Sequence, residues 1–201
     1  YGRTEESTEI KEDFELNGTD SYAMTKIVSE SFCKDWGNSE SIKPIIVRLG
    51  WSYGPMERPV IGSRNKMSLV YEIVSKALSD TEIRLADLDH ARDWIFVEDV
   101  SHALESLLKQ SILQYKIYNL SSGVTITHRE LLMALAKLIP VSFRQVGPTE
   151  ANIPSYLTGK ARGAMSIERL LSDTCFVPTT NLEKGLKLYI NWIRNNTKNN
   201  L

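Results

Sequence analysis

Lys43-Pro-Ile-Ile-Val-Arg-Leu-Gly-Trp-Ser-Tyr-Gly-Pro55 decides the fold class. Residues 43–49 form a short, continuous apolar run of the kind that becomes a strand buried on both faces of a parallel sheet. The following stretch, GWSYGPMERPVIGS, is rich in Gly, Pro and Ser and reads as a loop. In open α/β sheets, ligands bind beyond the carboxyl ends of the strands, where such loops sit. Arg48 to Pro55 is therefore a candidate ligand-facing loop, with a plain strand exit and turn at Tyr53-Gly54-Pro55 as the alternative.

Elsewhere the pattern alternates helical and extended segments. Residues 19–36 read as a helix with Thr19 or Asp20 as N-cap. Residues 66–79 place Met67, Val70, Val74 and Leu78 at helical spacing. IRLA (83–86) and DWIFV (93–97) are strand candidates. Residues 98–110 are a helix opened by Glu98 and Asp99, which suit the positive end of a helix dipole. KIYNLSS (116–122) is a strand, and 127–139 a helix stopped by Pro140. VSFRQV (141–146) reads as a strand. Residues 181–194 form a helix with Leu182, Leu186, Tyr189, Ile190 and Ile193 on one stripe, and the tail beyond it is polar. This alternation predicts an α/β protein with a mainly parallel sheet.

Composition narrows the function classes. In 201 residues, 24 Lys and Arg balance 25 Asp and Glu, without the basic excess of a general nucleic-acid binder. No apolar run approaches the roughly 20 residues that span a bilayer. The opening YGRTEESTEIKED is polar and acidic, unlike a secretory signal. Cys33 and Cys175 lie far apart, with neither CxxC spacing nor a Cys/His cluster, so no zinc site is expected. They read as reduced, partly buried thiols, consistent with a cytoplasmic protein. His90, His102 and His128 are scattered and read as structural or surface residues.

Four places carry chemistry. Tyr22 and Lys26, at i and i+4, share one helix face. An ammonium beside a phenol favours the phenolate and so a general base; spacing alone favours an ordinary surface pair. The Leu49-Gly50-Trp51 segment opens the loop already described. Arg92 precedes a buried strand and can present a planar fork to a diphosphate, or else pair with Asp93 or Asp89. Arg162, in TGKARGAMS, is a second candidate cation, although a solvated surface position explains it as well.

In order along the chain, these segments resemble the extended short-chain dehydrogenase/reductase family, in its NAD-dependent epimerase/dehydratase branch. The matching stretches are Tyr1-Gly2, Tyr22-x-x-x-Lys26 with Glu30, IIVRLGWSYGP, ARDWIFVEDV, IYNLSSG, and the ending LLSDTCFVPTTNLEKGLKLYINWIR. The resemblance implies the C-terminal part of a Rossmann-type parallel sheet plus a small α/β substrate-binding domain. Residues 1–60 and 91–123 would form the first, and 61–90 and 124–201 the second. The family's Gly-rich diphosphate turn is not found in residues 1–201, and its Ser/Thr would stand upstream of Tyr1. The chain, which begins with Tyr, is thus expected to be the C-terminal portion of such an enzyme and inactive alone, with an apolar sheet edge.

For the complete enzyme the resemblance implies NAD, with NADP as the alternative, and a nucleotide-sugar substrate. Tyr22 would be the acid/base and Lys26 would hold the nicotinamide ribose. Leu49 and Gly50 would pass close to the nicotinamide. Arg92 and Arg162 would clamp the diphosphate. Many nucleotide-sugar epimerases carry a substrate-contacting Asn where Trp51 stands, which leaves the substrate open. Arg58, Arg64 and Lys66 would meet an anionic substrate or remain solvated. Homodimers through a helix pair including the Tyr22 helix are common in that family. Two alternatives stand beside this reading: an NADP-dependent ketone or aldehyde reductase of the same superfamily, and a non-catalytic interaction module if the chain is complete as given.

Overall fold

The computed structural model describes residues 1, 9–39, 43–57, 67–154 and 162–197. Arg58, Arg64 and Lys66 lie outside them. The fold is α/β, and three of its four strand pairings among the described residues are parallel. β1 (Ile46–Leu49) runs parallel to β5 (Ile117–Leu120), with Ile46 opposite Ile117 and Leu49 opposite Leu120. β2 (Trp51–Tyr53) runs parallel to β4 (Ala91–Phe96), which also pairs antiparallel with β6 (Thr125–Thr127). β3 (Ile83–Leu85) runs parallel to β7 (Phe143–Gln145). The helices are α1 (Ser21–Ser39), α2 (Leu69–Leu78), α3 (Val97–Leu108), α4 (His128–Ala136), α5 (Glu168–Thr174) and α6 (Leu182–Thr197).

Local chemistry explains the helix starts. Asp20 caps α1 by accepting from the Ala23 amide at 2.8 Å. Ser68 caps α2, and its hydroxyl accepts from the Tyr71 amide at 3.2 Å. Thr127 and Glu130 make a capping box on α4. The spacing of apolar residues is realised as burial. Leu69, Val70, Ile73 and Val74 of α2, and Leu186, Tyr189, Ile190 and Ile193 of α6, face one large core with Ile83, Leu85, Trp94, Phe96 and Leu131. A second cluster holds Ile95, Ala103, Leu107, Tyr118, Leu120, Leu170 and Phe176. β4 serves both, because successive strand residues point to opposite faces. Where α6 crosses the first core, a Cβ on Gly185 would stand 2.2 Å from the Tyr53 hydroxyl, so only glycine fits.

Four features depart from the sequence reading. Part of the loop after β1 is a strand: Trp51–Tyr53 extends and pairs with β4, because Trp94 to Phe96 offer it a ladder. β1 is half-buried rather than buried, with Leu49 49% exposed; β5 is its one partner among the described residues. Asp99 serves α3 less as a dipole partner than as a buried anchor. Its carboxylate accepts from the Thr179 amide and hydroxyl at 3.2 and 3.1 Å, and from the Thr180 amide at 3.0 Å. Cys175 is exposed rather than partly buried, taking a left-handed conformation (φ 57°) just past the end of α5. Cys33 is half-buried, and both thiols are free. No helix among the described residues is long and apolar enough to cross a membrane, and they contain no cluster of three metal-ligating side chains.

Candidate active site

A cleft of about 640 Å³ opens between α1, the end of β1, the start of β2, β4 and the segment after residue 161. Tyr22, Lys26, Leu49, Gly50, Trp51, Arg92 and Arg162 all line it. These residues are brought together from four separate stretches of chain.

α1 presents Tyr22 and Lys26 to the cleft. The Lys26 ammonium stands 5.3 Å from the centroid of the Tyr22 ring, and the Tyr22 side chain is 72% exposed. One turn further, Glu30 ties α1 to the sheet. Its carboxylate accepts from the Arg48 Nε at 2.9 Å and from Nη2 at 2.6 Å, and also from Lys34 at 2.8 Å. A third Arg48 nitrogen donates to the Glu12 carbonyl at 2.7 Å. Burial alone would raise the Glu30 carboxyl, but the hydrogen bonds from Arg48 and Lys34 outweigh it and hold the group below the usual carboxylate range.

Gly50 has a structural reason of its own. Its amide donates to the Leu120 carbonyl at 2.8 Å, and a Cβ there would stand 2.0 Å from the Ser121 hydroxyl. The chain must pass close to β5 at this point, and this brings the Leu49-Gly50-Trp51 backbone along the cleft wall.

Arg92 is the unusual group. It is 4% exposed, yet Nε and Nη1 are buried without a hydrogen-bond partner among the described residues. The two carboxylates proposed as its partners are engaged elsewhere. Asp93 accepts from the Ser122 amide and hydroxyl at 2.9 and 2.6 Å and from the Met165 amide at 2.9 Å. Asp89 pairs with Arg129 at 2.9 Å. Burial, and then the charge of Arg162, push the Arg92 guanidinium down to about 10. Arg162 is half-buried and is itself lowered by burial. Two partly desolvated cations thus stand on one wall of the cleft.

Behind this wall lies a feature that no spacing rule flagged. His90 and His128 stack with ring centroids 4.9 Å apart, both buried. His128 Nδ1 bonds the Asp87 carbonyl at 2.8 Å, whereas Nε2 of each ring is buried without a partner among the described residues. The signal was absent because the two residues are far apart in the chain and meet only where β4 and α4 begin.

The molecule has clear relatives. The sequence profile of the NAD dependent epimerase/dehydratase family matches residues 1–121. The chain is 26% identical over 190 residues to the GDP-6-deoxy-D-mannose reductase of Pseudomonas aeruginosa, covering 93% of this chain and 60% of that protein. It is 24% identical over 199 residues to the dTDP-4-dehydro-6-deoxyglucose reductase of Escherichia coli, covering 96% of this chain and 58% of that one. Its fold superimposes on the UDP-glucose 4-epimerase of Thermotoga maritima, solved with UDP-glucose, with a TM-score of 0.80 at 18% identity, covering 98% of this chain and 60% of that one. It also superimposes on the Pseudomonas aeruginosa protein RMD complexed with NADPH, with a TM-score of 0.72 at 23% identity, covering 92% and 60%. The chain therefore spans about 60% of the length of these relatives. With its parallel α/β fold, its cleft and a profile that matches more than half of its residues, the chain belongs to the NAD-dependent epimerase/dehydratase family.

Proposed function

We propose that this chain carries the acid/base and substrate-clamping part of an NAD-dependent enzyme that acts on a nucleotide-sugar, by epimerisation or dehydration. The observation that carries the reading is the convergence of Tyr22, Lys26, Arg92 and Arg162 on one cleft. The related proteins are epimerases, dehydratases and reductases of nucleotide-sugars, and solved neighbours are complexed with NAD or NADPH.

The residues present suit a dinucleotide and a diphosphate. The exposed Tyr22–Lys26 face leaves room for a nicotinamide ribose beside the ammonium, and the backbone at Leu49-Gly50 runs along the same wall. When bound, the nicotinamide supplies the hydride acceptor. Tyr22 would move a proton at a sugar hydroxyl oxygen, and Lys26 would hold the ribose hydroxyls and stabilise the phenolate. Arg92 and Arg162 would fix the diphosphate, with Arg92 keeping two N–H groups free to donate. The division into a cofactor-binding part and a substrate-binding part would cut across the packing, since Tyr53, Trp94 and Phe96 join the larger core cluster and Leu170 and Phe176 the smaller. Met24, Val28 and Phe32, exposed along α1, support a homodimer through that helix.

The test is turnover in the natural full-length protein with NAD and a panel of UDP-, dTDP- and GDP-sugars. Tyr22→Phe should lower kcat by about 100-fold or more while leaving the cofactor Kd unchanged. Near-normal turnover would remove Tyr22 from the mechanism. A second reading, reduction of a keto-sugar with NADPH, is favoured by the two reductases among the relatives. It predicts consumption of NADPH in step with substrate, where an epimerase shows none.

A further inference from the structure

Trp51 stands where its role is unexpected. Its ring lies under the Arg92 guanidinium, with Cζ 4.6 Å from the ring centroid. The contact follows from strand register. Trp51 opens β2, which pairs with β4, the strand that carries Arg92. Trp51 itself is half-buried and packed against the large core, so the indole has little freedom to move away.

A buried guanidinium is ordinarily held by a carboxylate, which fixes its plane but also neutralises it and occupies its donors. Here both adjacent carboxylates are engaged elsewhere, and Nε and Nη1 have no partner among the described residues. An aromatic face attracts the cation and sets its plane while using none of its N–H groups. Resting on the reading of Arg92 and Arg162 as a diphosphate site, we infer that Trp51 is the positioning residue of that site: it holds the Arg92 fork in plane by a cation–π contact and so keeps its donors free for the anion.

An aromatic support leaves the wall with the full charge of two cations, whereas a carboxylate in the same place would halve it. The arrangement therefore suits a multiply charged anion better than a single carboxylate.

The experiment is calorimetric titration of the 201-residue chain with inorganic pyrophosphate. Arg92→Ala should weaken binding at least tenfold. Trp51→Leu, which keeps apolar bulk without a π face, should weaken it about tenfold, and Trp51→Phe should restore it to within about threefold of the unsubstituted chain. The double variant Trp51→Leu/Arg92→Ala should bind no more weakly than Arg92→Ala alone, because Trp51 acts only through Arg92. Pyrophosphate binding by Trp51→Leu equal to that of the unsubstituted chain would overturn the inference and leave the anion site standing. So would losses that simply add in the double variant. Absence of pyrophosphate binding by the unsubstituted chain would instead overturn the reading of the arginine pair, and the inference with it. Leu and Phe are both smaller than Trp and closer to each other in size, so the comparison between them separates the π face from the loss of bulk.

Discussion

Arg48 and Arg92 are both guanidiniums on the cleft wall, over the rings of Tyr1 and Trp51 respectively, yet their donors are used differently. Arg48 spends its donors on Glu30 and the Glu12 carbonyl. Burial opposes its charge, but hydrogen bonding to Glu30 and Tyr1 outweighs burial and raises it further. Arg92 has a ring beneath it and two N–H groups unused. The first ties α1 to the sheet, and the second keeps donors unpaired among the described residues. Glu30→Gln should therefore cost about 2 kcal/mol in urea unfolding, since it strands a partly buried cation. The Glu30 carboxyl is held below its ordinary value, so its contribution is complete above about pH 4.5 and is lost as the pH falls below that. Glu30→Gln should flatten that acidic limb; an unchanged midpoint and slope would show that the pair contributes nothing.

Among the elements, the helices were the most legible. The boundaries of α2, α3, α4 and α6 lie within three residues of those read from the sequence, because caps and the 3.6-residue period are written locally. The capping box on α4 makes this quantitative. Thr127→Ala removes the hydroxyl that accepts from the Glu130 amide at 3.1 Å, and the thermal midpoint should fall by an amount corresponding to about 1 kcal/mol. A loss below about 0.3 kcal/mol would mean that α4 is held by packing alone. The short strands were less legible. β2 and β6, of three residues each, were not read, because they exist only where a neighbouring strand offers hydrogen bonds, whereas β3 and β7, equally short, were read within 83–86 and 141–146. α5 was also missed, because its seven residues bury only Leu170 and show no stripe.

For the molecule as a whole, the buried histidine pair sets a pH dependence. Burial, then the charges of Arg92 and His128, push the His90 imidazole down to about 4, with Asp87 opposing; His128 is lowered mainly by burial. A histidine whose folded pKa is depressed takes up its proton first in the unfolded state. Its contribution is therefore complete above about pH 6.5 and is lost as the pH falls towards about 4. The chain should lose on the order of 2 kcal/mol across that window, followed by denaturant midpoints at half-unit steps. His90→Phe should remove most of the slope between pH 6.5 and 5, where ordinary carboxylates remain ionised. An identical slope in that variant would place the pH dependence elsewhere.

Near-neighbour chemistry along the chain was enough to announce the α/β class, the Tyr22–Lys26 face, the helix caps and the apolar stripes of α2 and α6. Each depends on residues within a few positions of one another, and a helix or strand repeats too soon to hide them. Charge was different. Whether Arg92 is neutralised depends on where Asp93, Asp89 and Trp51 end up in space, and sequence proximity pointed to the wrong partners. Asp93 is next to Arg92 in the chain, but strand alternation sends its side chain to the opposite face, where Ser122 and Met165 occupy it. Trp51 is forty-one positions away, and strand pairing lays it directly beneath the guanidinium. Desolvation and pairing are properties of a three-dimensional neighbourhood, so the guanidinium over Trp51 became visible only when the strands were in register.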